Sequence, residues 1–290
     1  MLKSFYCTSR SLCRKSVAGA GFLLAACLMI PVAALAAEDG IITMTTAPTQ
    51  SVADTHKLYG PIAEYLSAAS GKQVKLVPVR NFLEYTSKMR KDEFDIIFDG
   101  PHFVSWRMQH TRHVPMARLP GELVFMAAVK DGGAIKQIDQ LIGKKICAVN
   151  SPNLATLMVL DAFPNPVRQP VIVAQNSFKA AMQCLKEGKG MAAILPIKFW
   201  KKFEKKGETK GYRLLYSTSQ QPLPPRTFSI STRIDAETRE KMISALLASE
   251  GKPGALPVLN RFRSKNFVAA RESEYHDLSR LLLSVWGFHE

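Results

Sequence analysis

The chain has 290 residues, of which 47% are apolar and 22% charged, with 17 Gly and 17 Pro. That composition excludes a disordered tail, a fibre and a multi-span membrane protein, and the length holds one large domain or two ordinary ones. Lys and Arg total 39 against 24 Asp and Glu, a formal charge of +15.

Lys3, Arg10, Arg14 and Lys15 precede an apolar run over residues 17–35, and no acid occurs before Glu38. A basic start, an apolar stretch and Ala34-Leu35-Ala36 read as a cleaved secretory signal over residues 1–36. A membrane anchor is the alternative, weakened by Gly19, Gly21 and Pro31. Leu24-Ala25-Ala26-Cys27 also resembles a bacterial lipoprotein box, although residues 28–35 stay apolar, so a lipid on Cys27 is the lesser reading. The exported chain remains basic. Outside the cytoplasm that makes nucleic acid a poor partner and leaves an anionic ligand, an anionic membrane surface or a merely basic face. Lys201, Lys202, Lys205 and Lys206 read as the solvated end of a helix. Only Cys147 and Cys184 survive cleavage, free to pair or to stay buried and reduced. Cys147 sits in an apolar strand and reads as a small buried hydrophobe.

Beyond the signal, β-branched runs alternate with helical periodicity. Residues 41–46 form a strand and 54–69 a helix with Leu58, Ile62, Tyr65 and Leu66 on one face, stopped by Gly71. Residues 74–79 are the next strand. Asn81 then caps a helix carrying Phe82, Tyr85 and Met89, and residues 94–98 are a third strand broken by Asp99-Gly100-Pro101. This order implies parallel strands with right-handed crossovers. Residues 114–129 are extended, with a turn at Pro120-Gly121. The same grammar returns: a short helix at 138–142, strands at 145–149, 171–174 and 191–195, and helices at 154–162 and 178–186. Extended segments at 213–217 and 227–231 precede helices at 236–248 and 273–285.

Several pieces in fixed order carry a family resemblance. They are Tyr59-Gly60-Pro61-Ile62-Ala63-Glu64-Tyr65-Leu66 with Gly71-Lys72-Gln73-Val74, then Phe94-Asp95-Ile96-Ile97-Phe98-Asp99-Gly100-Pro101. Ile138-Asp139-Gln140-Leu141-Ile142-Gly143-Lys144-Lys145, Cys184-Leu185-Lys186-Glu187-Gly188, and Ser219 with Pro222 and Pro224 follow. From about residue 41 to 247 the chain resembles the periplasmic phosphate/phosphite/phosphonate-binding proteins of ABC importers. The resemblance implies the type II periplasmic binding fold: two α/β lobes, each a mainly parallel sheet flanked by helices, closing by hinge motion on a ligand. The expected organisation is a first lobe over 37–125, a second over 126–222, and a return to the first lobe over 223–290.

An anion in such a cleft needs free backbone N–H groups at helix N-termini and nearby polar side chains. Strand-to-helix turns offer Thr49, Gln50 and Ser51, then Arg80 and Asn81, then Asp99 and His102, and in the second lobe Asn153, Thr156 and Ser177. Each hydroxyl or amide can cap its own helix instead. Arg80 can make bidentate bonds to a carboxylate or oxyanion. His102 can donate to an anion or bind a metal, or serve as a structural histidine, and Asp99 can cap the turn. The family's Ser-Thr-Ser-Gly stretch is replaced here by Asn153-Leu154-Ala155-Thr156. Gly190 stands where an Asp usually follows Gly-Lys, His102-Phe103-Val104 replaces the aromatic hydroxyl after Gly-Pro, and Phe82 replaces a common Tyr. His110 and His113 read as a solvated pair rather than metal ligands.

No H-E-x-x-H, P-loop or G-x-S-x-G occurs, and no cofactor or metal is implied. The expected function is a monomeric solute-binding protein handing a small anion to an inner-membrane ABC permease. A ligand sensor acting with a membrane histidine kinase is one alternative. A periplasmic enzyme on the same scaffold is the other.

Overall fold

The computed structural model describes residues 40–288, so the secretory signal over 1–36 and the lipoprotein box at Cys27 lie outside the described residues. In chain order the first elements are β1 (Ile42–Thr46), α1 (Val52–Ser70), β2 (Val74–Leu76), α2 (Phe82–Arg90), β3 (Ile96–Asp99), α3 (Pro101–His110) and β4 (His113–Arg118). Next come β5 (Phe125–Lys130), β6 (Lys145–Val149), α4 (Leu154–Leu160), β7 (Val171–Gln175), α5 (Phe178–Lys186), β8 (Ala192–Pro196), α6 (Ile197–Glu204) and β9 (Tyr212–Ser217). The chain ends with β10 (Thr227–Ser231), α7 (Ala236–Leu247), α8 (Leu256–Phe262), β11 (Val268–Ala269) and two 3-10 turns, Glu272–Tyr275 and Leu278–Leu282.

Local chemistry explains most of these boundaries. Ser51 accepts a hydrogen bond from Asp54 N to open α1, and Gly71, at φ 73°, closes it by donating to Ser67 O. Asn81 opens α2 through Glu84 N, and Ser177 opens α5 through Ala180 N. Each such cap contributes about 1 kcal/mol.

Two sheets result, one in each lobe. The first has the order β11-β4-β10-β3-β1-β2 and the second β7-β6-β8-β5-β9. β2, β1 and β3 run parallel, as do β7, β6 and β8, while β4, β10 and β11 in one sheet and β5 and β9 in the other pair antiparallel. The sheets are therefore mixed, because the strand that follows each connector, β5 in one sheet and β10 in the other, enters against the parallel set. Those connectors run side by side: Leu123 and Leu223 exchange both backbone hydrogen bonds, at 2.7 and 3.0 Å. This two-stranded ribbon links the sheets, and short paired links are where hinge motion concentrates.

One apolar core lies between the first sheet and α1, α7 and α8, built on Met44, Ile62, Leu66, Phe98, Phe228 and Met242. A second apolar cluster extends through both lobes, from Val79 and Phe103 to Leu154, Ala155 and Met158, with Leu278, Leu281 and Leu282 included. A third fills the outer side of the second sheet around Met126, Met182 and Trp200. Among the described residues, no helix is long and apolar enough to cross a membrane.

Two regions depart from the sequence reading. Helix α8 has no counterpart in it, and the helix expected at 273–285 is instead two 3-10 turns. Asp277, at φ 59°, breaks the run, and its left-handed backbone is incompatible with a continuing helix. The backbone after it bonds to neighbours instead: Ser279 N donates to Ser105 Oγ at 2.9 Å, and Ser279 Oγ to Gln109 Oε1 at 2.9 Å. Arg280 reaches the other lobe, 2.8 Å from Asp161 Oδ2. The C-terminal segment thus laces α3 to the end of α4.

Cys147 and Cys184 form a disulfide between β6 and α5. Cys147 is buried, as its apolar strand suggests, and of the two outcomes left open for the cysteines the structure has the paired one. Gly190 packs on this bridge, where a Cβ would lie 2.7 Å from Cys147 Sγ.

Candidate functional site

The parallel strands β1 and β3 end side by side, with Thr46 opposite Phe98, and β10 starts beside them, with Thr227 opposite Asp99. Three chain segments therefore meet at one edge of the first sheet: residues 47–51 after β1, residues 100–102 after β3, and the connector residues 224–226 before β10. In open α/β sheets the carboxyl edge of the parallel strands is where ligands bind. The segment after β6 faces this edge from the second lobe, since His102 Nε2 lies 3.3 Å from Pro152 O. Pro152 lies in the turn before α4, and the Ser151-Pro152 peptide is cis.

His102 is 3% exposed, stacked on Phe103 and folded back over the strand-to-helix turn. Only a glycine permits this at position 100, because a Cβ there would lie 2.6 Å from His102 Cε1. Its Nε2–H donates to Pro152 O, and Nδ1 is buried without a partner. Burial pushes the ring's pKa down to about 4; Asp99 and the Pro152 bond oppose this, while Arg107 and Arg226 add to it. The ring is neutral at ordinary pH. Two more buried nitrogens at this edge also lack partners, Gln50 Nε2 and Arg226 Nη1. Arg226 lies with its guanidinium 5.7 Å from the Phe262 ring centre.

The Asp99 side chain points the other way. Both of its oxygens bind Arg107, at 2.7 Å each, and Tyr85 OH also donates to it. Arg107 and Asp99 are both fully buried. Burial is the largest influence on Arg107 and opposes its charge, but Asp99 and Tyr85 together more than offset it, so the guanidinium pKa is raised. Burial, with Asp99 second, raises the Tyr85 hydroxyl well above its usual range. The network continues through Ser229 Oγ, which accepts from Arg107 at 2.9 and 3.1 Å, to His113 Nδ1 at 3.4 Å and from His113 Nε2 to Asp92 at 3.2 Å. Asp92 in turn pairs with Arg233.

The ten residues singled out in the sequence thus divide. Gln50 and His102 come together at the edge with free buried nitrogens. Ser51, Asn81 and Ser177 are exposed and cap their own helices, and Asn153 caps α4 through Ala155 N. Thr49 is exposed. Three have bonds of their own elsewhere. Asp99 is committed to Arg107 in the lobe interior. Thr156 donates its hydroxyl to Val149 O within its own lobe. The Arg80 side chain is 81% exposed and tied to Glu84 one turn along, 3.3 Å away, so its charge is turned to solvent. His113 is also not a solvated partner of His110: it is buried in the Arg107 network, whereas His110 is exposed and stacks on Trp106. Among the described residues no cluster of three or more His, Cys, Asp or Glu could hold a metal.

Arg226 was missed. The Pro-rich run Pro222-Leu223-Pro224-Pro225 before it marks a rigid connector, but nothing local says that the next side chain turns back onto the sheet edge. An open pocket of about 660 Å³ lies elsewhere, under the C-terminal segment, between Trp106, Met158, Leu278 and Arg280. We place the site at the sheet edge nonetheless. Unpartnered buried polar atoms are costly and point to a missing ligand, and three of them gather at this edge, whereas Ser279, Gln109 and Arg280 beneath the C-terminal segment are already bonded.

Comparison with known proteins agrees with this architecture. The family model for the ABC transporter phosphonate periplasmic substrate-binding protein matches residues 44–275. No curated protein matches the chain in sequence. Among solved structures, PhnD1 of Prochlorococcus marinus in complex with methylphosphonate aligns at 16% identity over 84% of this chain and 97% of its own, with a TM-score of 0.63. XAC2383 of Xanthomonas citri bound to ATP aligns at 13% identity over 83% and 95%, with a TM-score of 0.68. A binding protein of an ABC phosphonate transporter from Pseudomonas aeruginosa aligns at 14% identity over 84% and 85%, with a TM-score of 0.60. At these identities the likeness establishes the two-lobed α/β fold, and the family match covers most of the sequence. The chain belongs to the phosphonate-type periplasmic substrate-binding family of ABC transporters.

Proposed function

We propose that this protein captures a small anion between its lobes and delivers it to an ABC permease, without chemical turnover. We take 37–125 with 223–290 as one lobe and 126–222 as the other. The observation that carries the reading is the group of three buried nitrogens without partners, on Gln50, His102 and Arg226, at the carboxyl edge of the first sheet. An unsatisfied buried polar group costs about 1–3 kcal/mol, so three at one edge are explained by a ligand that bonds them. Arg226 supplies positive charge, and Asp99, at the end of β3, is held by Arg107. The relative in complex with methylphosphonate makes phosphonates the first ligands to try. Export through a cleaved signal to the periplasm and a monomeric state complete the reading.

A thermal-shift screen of the protein, refolded to remove bound ligand, tests it. The panel holds methylphosphonate, phosphite, phosphate, acetate, sulfate and divalent metals. A ligand at a hundred times its Kd adds about 2.7 kcal/mol, a rise of roughly 5–10 °C. An anion hit with no product formed supports transport binding. A response to metals alone would remove the anion reading, and turnover of a bound anion would make the protein an enzyme.

A further inference from the structure

The bonding pattern of His102 says more about the ligand than its charge. Its Nε2 faces Pro152 O at 3.3 Å. A carbonyl oxygen only accepts, so Nε2 carries the ring hydrogen. Nδ1 is then a bare acceptor, and it is buried with nothing to accept from. An ionised oxygen cannot satisfy it; an O–H can. Arg226 Nη1 and Gln50 Nε2, at the same edge, are donors in want of acceptors.

We propose that the site selects an anion that keeps one acidic proton, with Arg226 taking the negative charge and His102 Nδ1 accepting the ligand's hydroxyl. The inference rests on the sheet edge being the ligand site, and it narrows the ligand to oxyacids ionised once. Hydrogen phosphonates, hydrogen phosphite and dihydrogen phosphate qualify. Sulfonates and sulfate carry no such proton and do not. Arg226 is the specificity-determining cation in place of Arg80. Because it precedes β10 on one of the two connectors, charge captured there also acts on the link between the lobes.

A doubly protonated ring would reverse this pattern, and the surroundings oppose one. The charged groups that bear on His102 are Asp99 at the end of β3, Arg107 on α3 and Arg226 on the connector. Asp99 is held by Arg107, and both arginines repel a charge on the ring. Burial acts in the same direction.

The test compares ligands of one shape, matched in charge as well in the first pair. Isothermal titration at pH 6 with methylphosphonate and methanesulfonate sets a hydrogen phosphonate against an anion without a hydroxyl. Phosphate against sulfate forms the second pair. The proposal expects the protonated member of each pair to bind about tenfold or more tightly, and methylphosphonate affinity to fall as pH rises through its second ionisation. His102→Phe, which keeps a ring but no acceptor, should erase the preference. Arg226→Gln should weaken both members alike, with partial rescue in Arg226→Lys and little change in Arg80→Ala. Equal affinity for phosphonate and sulfonate would overturn the proton requirement while leaving the anion site standing. A preference surviving in folded His102→Phe would overturn the role of His102. Failure of the wild-type protein to bind any of the four anions would overturn both this proposal and the functional reading beneath it. The wild-type comparison holds even if a variant fails to fold.

Discussion

The two lobes share a strand order but are held together by different chemistry. The first lobe buries a charged relay, from Tyr85 through Asp99, Arg107, Ser229 and His113 to Asp92. The second is apolar around β6, β8 and α5 and carries a disulfide at the matching depth. A buried ion pair is weak evidence for net stability, because desolvation offsets most of its attraction, but it fixes orientation and fails badly when halved. A disulfide acts mainly on the unfolded chain and leaves the folded surface uncommitted. The lobe that holds His102, Gln50 and Arg226 is thus the one whose interior is set by directional bonds. Asp99 shows the consequence: clamped by Arg107, it sits one residue before Gly100 and anchors the turn on which His102 lies.

Halving the ion pair should have the largest effect. Arg107→Ala leaves the Asp99 charge buried without a partner, and we expect a loss of about 3–5 kcal/mol in urea denaturation. A loss below 1 kcal/mol would mean that water reaches Asp99 and that the contrast between the lobes is false. Replacing Cys147 and Cys184 together by Ser should cost less, about 2–4 kcal/mol for a bridge closing 37 residues. Methylphosphonate affinity should stay unchanged in that variant, since the bridge lies on the far side of β6 from the cleft cluster.

Protonation separates the lobes next. His102 is pushed down to about 4 and His113 to about 2, chiefly by burial. The unfolded chain binds these protons near pH 6.5 while the folded chain refuses them. Stability is therefore full above that pH and falls as pH drops towards 4, by up to about 1.4 kcal/mol per unit for each histidine. Both residues belong to the first lobe. Hydrogen exchange at pH 7 and 5 should therefore show β1, β3 and β10 losing protection before β6 and β8; equal loss in the two sheets would contradict the assignment.

The smallest effects concern residues that the sequence brought forward. Ser51→Ala and Asn81→Ala should each cost about 1 kcal/mol in melting experiments, the worth of a helix cap. A larger loss in anion binding than in stability would return them to the site.

How much was legible follows from the range of the interactions. Caps at Ser51, Asn81, Asn153 and Ser177 depend on bonds within two or three residues, and the sequence revealed all four as helix starts. The strand edges at Thr46 and Asp99 followed from β-branched runs ended by turn residues. Arg107 carries no local signal, since its partners Asp99 and Ser229 meet it only after β10 pairs with β3. The same holds for Arg226, which needs the antiparallel pairing of Thr227 with Asp99 to reach the site, and for the disulfide, which needs α5 packed on β6. The Arg80 ion pair does carry a local signal: Glu84 stands four residues on, the spacing of a helical ion pair. The C-terminal segment was misread as one helix because its apolar spacing suits a helix, whereas contacts with α3 and α4 decide its shape.

The central claim is that the ligand binds at the carboxyl edge of the first sheet, and a crystal structure of the protein soaked with the tightest anion of the panel tests it directly. The account predicts density within hydrogen-bond reach of His102 Nδ1, Arg226 Nη1 and Gln50 Nε2, with an anion oxygen nearest the guanidinium. Density in the pocket beneath the C-terminal segment instead, against Trp106 and Leu278, with the sheet edge empty, would contradict it.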